Sequence, residues 1–453
     1  MRVIIAGAGI SGLSLAFGLL QRDPKLDVAV FEGEKQAGGK IRTEKVDGYV
    51  CEAGVNGFLD NKPSTLELAK SLNLAALKSN DSSRKRYICL DGGLKRIPET
   101  PVSFFMSNFL SVGGRLRMMS EFFVPKKVYE DESLEEFGVR RVGREFFEKL
   151  LDPMASGIYA GDPSRMSIRS CFGKVYDLEQ KYGGLIKGFM AIGKENKKSG
   201  KKTEAGPGGT LMSFDGGMGS LVDALCSSLG SRVKTGNAVK GIEKKGSIYS
   251  VLTEDGSWHE ADCVVFACPA YDTAEIVSDM DKGIANILFE TPYPPLSVAA
   301  FGYKKEKLKI DTDLFGFLVP GKEKRKLLGT LYDSSIFTNR APEGYVMLRS
   351  MVGGARHPEL GMMDADKLVA TVRAELKAIA KVDPEPDFVW TYRWEKAIPQ
   401  YIVGHHEKLK ALDEMTAKHK NIYLAGNAYR GVSVNDSIAN SMELADKIVQ
   451  GSR

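Results

Sequence analysis

An uncharged strand, glycine turn and helix at the very start of the chain constrain the fold more than any other feature. RVIIA at 2–6 is a short β-branched run, GAGISG follows at 7–12, and Ile10, Leu13, Phe17 and Leu20 then recur at helical spacing. A second apolar run, VAVFE at 28–32, ends in Glu32, twenty residues beyond Gly12. Strand, turn, helix and strand within 32 residues form a complete βαβ unit. The same stretch carries no charge from Val3 to Leu20, which raises the alternative of a signal peptide or membrane anchor. Glycines at 7, 9, 12 and 18 and serines at 11 and 14 make a poor hydrocarbon span, and Arg22 and Asp23 stand where a small-residue cleavage site belongs.

The glycine spacing has a physical reading. Gly7 permits the tight turn, Gly9 lets the backbone approach a pyrophosphate, and Gly12 allows close packing of helix on strand. The free N–H groups of the helix N-terminus, Ser11 among them, and the positive end of the helix dipole face the phosphates. Glu32 stands where a carboxylate meets a ribose hydroxyl. A dinucleotide is the expected ligand.

Length and composition bound the rest. A chain of 453 residues holds about three domains' worth of core. Sixty-three Lys and Arg against fifty-eight Asp and Glu leave a net +5, too little for a nucleic-acid footprint. The six cysteines show no CxxC spacing, and the five histidines show no ligand spacing beyond His405-His406, so neither a metal site nor a disulfide framework is expected. Reduced, scattered thiols suit a cytoplasmic protein.

Two later stretches return to the first domain. NAVKGI at 237–242, IYSVLT at 248–253 and the buried run ADCVVFACP at 261–269 read as strands, and NIYLAGN at 421–427 is a strand ending in glycine. A final helix places Ile438, Met442, Ala445 and Val449 on one face. The expected architecture is mixed α/β and α+β, with a discontinuous Rossmann-like domain from 1–60, 207–290 and 398–453. A mainly helical insertion spans 61–206, and a sheet-based insertion spans 291–397. In the first insertion Ser133 and Glu136 form a capping box, and Asp152-Pro153 marks that helix's end. The lysine-rich stretch 194–209 reads as a solvated loop. The second insertion offers strands at 297–303, 315–319 and 345–352 and a helix around 364–381.

FAD is favoured over NAD by two features. AGGKIRT at 37–43 places a second glycine pair and a cation where they meet the same pyrophosphate. The helix after GVSVND aims its N-terminus at a ligand, a dipole suited to the negative charge of a reduced flavin.

GAGISG with Glu32 and the GGKIRT doublet resemble the flavin amine oxidase superfamily. DPMASGIYAGDPSRMSIRSCF at 152–172, DGGMGSLVDAL at 215–225, IPQYIVGH at 398–405 and AGNAYRGVSVNDSI at 425–438 resemble its protoporphyrinogen oxidase branch. The resemblance implies FAD and a six-electron oxidation of protoporphyrinogen IX in three two-electron steps, with dioxygen giving hydrogen peroxide. It also implies a substrate domain and a helical membrane-facing domain beside the FAD domain. Residue by residue, it assigns Arg86 to a substrate propionate, Phe315, Leu318 and Met351 to the tetrapyrrole face, and Gly157 to the turn facing the macrocycle. To the cofactor it assigns Gly39, Lys40, Gly54, Val55, Val239, Gly426, Val432 and Val434. Two departures stand out: the doublet reads GGK rather than GGR, which loses the bidentate fork, and Val55 stands where the family usually places proline.

The residue types suit the chemistry. A reduced tetrapyrrole is a broad apolar ring with carboxylate arms, so an apolar slot and a cation serve it, and hydride loss to a flavin needs position above all. Coproporphyrinogen III, with four carboxylates, remains an alternative substrate, as do an amine oxidase or desaturase activity and a non-catalytic porphyrin carrier. The apolar run VSFFMSNFL at 102–110 is either a core helix or a contact with the inner face of the cell membrane. A homodimer and hand-off to the next heme-pathway enzyme stay open as partners.

Overall fold

A computed structural model describes residues 1–98, 101–127, 131–198 and 209–451. Three distant parts of the chain meet in one parallel five-stranded sheet. Its order is Val233–Lys234, Asp27–Phe31, Arg2–Ala6, Cys263–Phe266 and Ile422–Leu424. Ile4 sits between Ala29 and Val264, and Val265 pairs with Tyr423, so the central strands are buried on both faces. The strand order matches the discontinuous domain expected from the sequence.

The chain's two ends are held together by packing. The helix Ile10–Arg22 lies along the last helix, Val434–Gly451. A Cβ at Gly18 would stand 2.8 Å from the Met442 sulfur, so the glycine leaves room for this close approach and any larger residue would have to displace Met442. Arg22 closes the contact with a bidentate pair to Asp446 at 2.6 and 2.8 Å. Ile438 and Ala445 are fully buried and Val449 nearly so, as the helical spacing predicts.

The second sheet has seven strands: Phe388–Trp394, Leu296–Lys304, Tyr345–Gly353, Leu327–Leu331, Gly316–Leu318, Arg86–Leu90 and Gly93–Arg96. The helix Ala365–Ala380 covers it, capped by Asp364, which accepts from the Lys367 N–H at 2.8 Å. Two of its strands correct the expected helical insertion. Residues 86–96 lie inside 61–206, yet they extend this sheet through parallel pairing of Arg86 to Gly316 and Ile88 to Leu318. Ala76–Lys78 likewise pairs with Leu211–Phe214, whose other edge pairs with Phe58–Leu59, and Leu68 and Ala69 join the dinucleotide-domain core. The helical part starts only at Pro101–Met106.

Within it the capping box forms as expected: Ser133 caps Leu134–Val142 and Glu136 bonds back to the Ser133 N–H at 2.9 Å. The end does not. The helix stops at Gly143, whose φ of 90° breaks it, and Pro153 instead lies in the first turn of the helix Asp152–Tyr159. A π-helical turn at Phe147–Leu151 leads into it, and the wider turn accommodates a residue that has no N–H to donate. The stretch 194–209 is not loop at its start: residues 194–198 end the helix Leu185–Lys198, and 199–208 lie outside the described residues.

Candidate functional site

A cleft of about 590 Å³ runs along the C-terminal edge of the parallel sheet. Gly7, Gly9, Ser11, Glu32, Gly39, Lys40, Val55, Val239, Gly426, Val432 and Val434 line it. Ligands of open α/β sheets bind at this edge. The glycines divide the work as their spacing implied. A Cβ on Gly12 would stand 2.0 Å from the Gly7 carbonyl oxygen, and one on Gly7 would stand 2.7 Å from the Cys268 nitrogen. A Cβ on Gly9 would meet nothing closer than the Gly39 Cα at 4.0 Å. Gly7 and Gly12 are therefore packing glycines, whereas Gly9 keeps space open for a ligand.

The helix Ile10–Arg22 begins at Gly9 with no side-chain cap, which leaves its first N–H groups to a ligand. Glu32 sits beside this turn, taking the Ala8 N–H at 2.8 Å and the Glu34 N–H at 3.0 Å. The second glycine pair docks directly on the first: the Gly38 N–H donates to the Ala8 carbonyl at 2.8 Å. The glycine cradle, open helix end and carboxylate fit the pyrophosphate and ribose of FAD. Gly54 is the exception among the assigned residues: it is exposed but does not line the cleft. Its carbonyl accepts from Arg349, and a Cβ there would hit the Lys40 carbonyl at 2.7 Å.

Lys40 is placed differently from expectation. Its ammonium donates to the Lys396 carbonyl at 2.5 Å and lies 4.4 Å above the Trp394 ring, rather than reaching the pyrophosphate turn. Burial pulls its pKa down to about 8. Lysine lacks the guanidinium fork that would let it hold a phosphate and this carbonyl together.

The five residues assigned to substrate do not line that cleft, but the sheet register aligns three of them, Arg86, Leu318 and Met351, on one face that ends beside it. Paired residues share a face, so Ile88, Leu318, Gly329, Met351, Val298 and Tyr392 form one row across six strands. The adjacent row on the same face runs Arg86, Gly316, Leu331, Arg349. Tyr392, at the end of the first row, lines the dinucleotide cleft together with Trp394. Met351 is two strands from Tyr392, about 10 Å away at ordinary strand spacing.

Over this face lies the helix Asp152–Tyr159. A Cβ on Gly157 would approach Leu318 Cδ2 to 2.7 Å, so the helix comes down on the sheet where glycine permits it. Arg86 lies 4.9 Å over the Phe315 ring and is open to solvent. Surrounding protein lowers its pKa by desolvation alone, and among the described residues it has no carboxylate partner. Neighbouring Lys85, by contrast, pairs with Asp311 and Asp313.

Sequence reading missed the aromatic wall of Tyr271, Tyr293, Tyr392 and Trp394. It also missed the buried Arg349, which pairs with Asp333 at 2.5 Å and donates to the Glu52 carbonyl at 3.2 Å. The alternation in WTYRW at 390–394 was the available signal for the first. Nothing local signalled the second. Among the described residues no cluster of His, Cys, Asp and Glu could hold a metal ion.

Comparison with known proteins agrees with this geometry. The family model described as flavin containing amine oxidoreductase matches residues 10–449. Protoporphyrinogen oxidase 1, chloroplastic, of Arabidopsis thaliana is 32% identical over 98% of this chain and 87% of its own length. Coproporphyrinogen III oxidase of Bacillus subtilis strain 168 is 29% identical over 96% of this chain and 95% of its own. A solved protein of Exiguobacterium sp. 255-15 shares the fold, with TM-score 0.83 and 24% identity over 99% and 98% of the two chains. The chain belongs to the flavin containing amine oxidoreductase family and is an FAD-dependent oxidoreductase.

Proposed function

We propose that this enzyme oxidises protoporphyrinogen IX to protoporphyrin IX in heme biosynthesis. One observation carries the reading: a single sheet face runs from an unpaired, partly desolvated arginine, past Leu318 and Met351, to the aromatic wall of the dinucleotide cleft. Bound FAD would accept hydride from a porphyrinogen carbon and pass the electrons to dioxygen, giving hydrogen peroxide.

The protein's own part is placement. Arg86 would hold a propionate, a charge-assisted contact of about 1.5–3 kcal/mol. Leu318, Met351 and the bare backbone at Gly157 would press the ring flat and exclude water, while the ring's own N–H groups release protons. Names among the relatives, both protoporphyrinogen and coproporphyrinogen III oxidases, support the class of substrate. Arg86 has no carboxylate partner among the described residues, and a single such cation suits two carboxylates better than four. Turnover of both porphyrinogens, read by porphyrin fluorescence, tests the choice: preference for protoporphyrinogen supports it, and a strong preference for coproporphyrinogen overturns it.

We also infer a contact with a membrane surface. Phe109 and Leu110 of the expected segment are buried but its Met106 is 80% exposed, and the apolar surface continues beyond the segment: Leu116, Phe123, Phe189 and Met190 are 63%, 82%, 59% and 53% exposed. Buried Glu121 accepts the Leu185 and Ile186 N–H groups at 2.7 and 3.0 Å, which sets Phe122 and Phe123 beside the helix Leu185–Lys198. Among the described residues no helix is long and apolar enough to cross a membrane, and a monotopic contact fits such a surface. Cosedimentation with anionic liposomes should weaken in Phe123→Ser/Phe189→Ser; unchanged binding, or none by the wild type, contradicts it.

A further inference from the structure

Three consecutive carbonyls beside the dinucleotide cleft are held by side chains of the second sheet. Arg349, in the strand Tyr345–Gly353, donates through Nη1 to the Glu52 carbonyl at 3.2 Å and to the Gly54 carbonyl at 3.4 Å. Trp394 Nε1 donates to the Ala53 carbonyl between them at 2.9 Å. On its other side Arg349 meets buried Asp333 at two points, through Nε at 2.5 Å and Nη2 at 3.4 Å. Asp333 also accepts from Asn56 Nδ2 at 3.2 Å, so the pair grips residues 52–56 from both ends. The first domain holds the same segment from the opposite side. The Glu52 carboxylate accepts from Thr43 Oγ1 at 2.6 Å and from the Met218 N–H at 2.7 Å, and the Ala53 N–H donates to the Arg42 carbonyl at 2.9 Å.

A run of close contacts fixes where along the cleft this segment stands. A Cβ on Gly33, next to Glu32, would meet Ala238 at 3.1 Å, and one on Gly39 would meet the Gly9 Cα at 3.2 Å. Gly54 abuts the Lys40 carbonyl, and Ala53 leads on to Trp394. A dinucleotide with its ribose at Glu32 and its pyrophosphate at Gly9 therefore leaves its flavin end to Val55, Tyr392 and Trp394, which line the cleft. A lysine at 349 would neutralise Asp333 as well as an arginine does. What it lacks is the planar fork that reaches two carbonyls and a carboxylate together.

We propose that Arg349, anchored by Asp333, is a positioning residue for the flavin: it fixes residues 52–56 to the second sheet and so sets Val55 against the isoalloxazine end of the cofactor. Neither Arg349 nor Asp333 lines the cleft; both act through the backbone they hold. The inference stands on FAD binding and is independent of which porphyrinogen is oxidised.

The test compares Arg349→Lys with Leu376→Ala. Leu376 is fully buried in the helix Ala365–Ala380, in the core on the opposite face of the same sheet. Flavin fluorescence on dilution of the FAD-loaded full chain gives the affinity, and visible absorbance and circular dichroism at saturating FAD report the isoalloxazine's surroundings. Arg349→Lys should weaken FAD binding about tenfold and shift the visible spectrum of the bound flavin toward that of free FAD. Leu376→Ala should lower the melting temperature at least as much, yet leave the affinity within about twofold and the spectrum unchanged. A wild-type spectrum in Arg349→Lys would overturn the proposal whatever the affinity. Equal changes in Leu376→Ala would also overturn it, since general loss of stability would then account for both. If Arg349→Lys does not fold, Asp333→Asn decides by the same readouts, because it keeps an acceptor for Arg349 while removing the charge that orients it.

Discussion

The dinucleotide cleft and the sheet face beside it are built on opposite plans. Around its glycine turn the cleft is made of backbone: two packing glycines, Gly7 and Gly12, an open one at Gly9, an uncapped helix end, and one carboxylate held by two N–H groups. The face proposed for substrate is made of side chains more than two hundred residues apart in sequence, such as Arg86 and Met351. A backbone site tolerates almost no change, while a side-chain site can be retuned without losing the fold. Substitutions in both regions probe that contrast.

The largest effect belongs to the glycines, and it should split them. Gly12→Val should yield no soluble, flavin-loaded protein, because its side chain would collide with the Gly7 carbonyl. Gly9→Val should fold with a normal far-ultraviolet spectrum yet lose FAD, since only ligand space is filled. A yellow Gly9→Val protein would break the distinction between packing and ligand glycines.

Arg86→Ala comes next. Loss of one charge-assisted contact should raise KM about ten- to a hundredfold, with FAD content unchanged. Equal loss of flavin would show that the two sites are not separable. A smaller change, about two- to fivefold in kcat/KM, is expected for Gly157→Ala, where the far end of Leu318 can move aside, and Leu318→Ala should relieve it in the double variant.

The smallest effect concerns pH. Asp272 lines the cleft, and burial with repulsion from Glu275 raises its carboxyl to about 6, against the pull of Lys396. The folded protein therefore holds this proton more tightly than the unfolded chain does. The stabilisation is complete below the ordinary carboxylate pKa and is lost as pH rises through about 6. Asp272→Asn should melt above the wild type at about pH 8, with the gap closing near about pH 4. A constant gap would contradict the assignment.

The same contrast explains what could be read in advance. The βαβ unit, the capping box at Ser133 and the buried face of Ile438 and Ala445 were legible, because each depends on residues within a few turns of one another. Pro153 misled as a stop signal because a π-helical turn ahead of it removes the clash that usually ends a helix. The strand Arg86–Leu90 could not be assigned to its sheet, since its partner Gly316–Leu318 is more than two hundred residues away. The residues proposed for substrate therefore came from family likeness, and Glu52, Asp333 and Arg349 went unnoticed as a group. Their spacing in the chain carries no period; only the fold brings them together.

The most direct test is anaerobic mixing of the oxidised, flavin-loaded protein with protoporphyrinogen IX. The visible flavin band should bleach, and admitting air should restore it as porphyrin fluorescence grows. A band that stays unbleached while FAD remains bound would contradict the claim that the proposed substrate face delivers a porphyrinogen to the flavin.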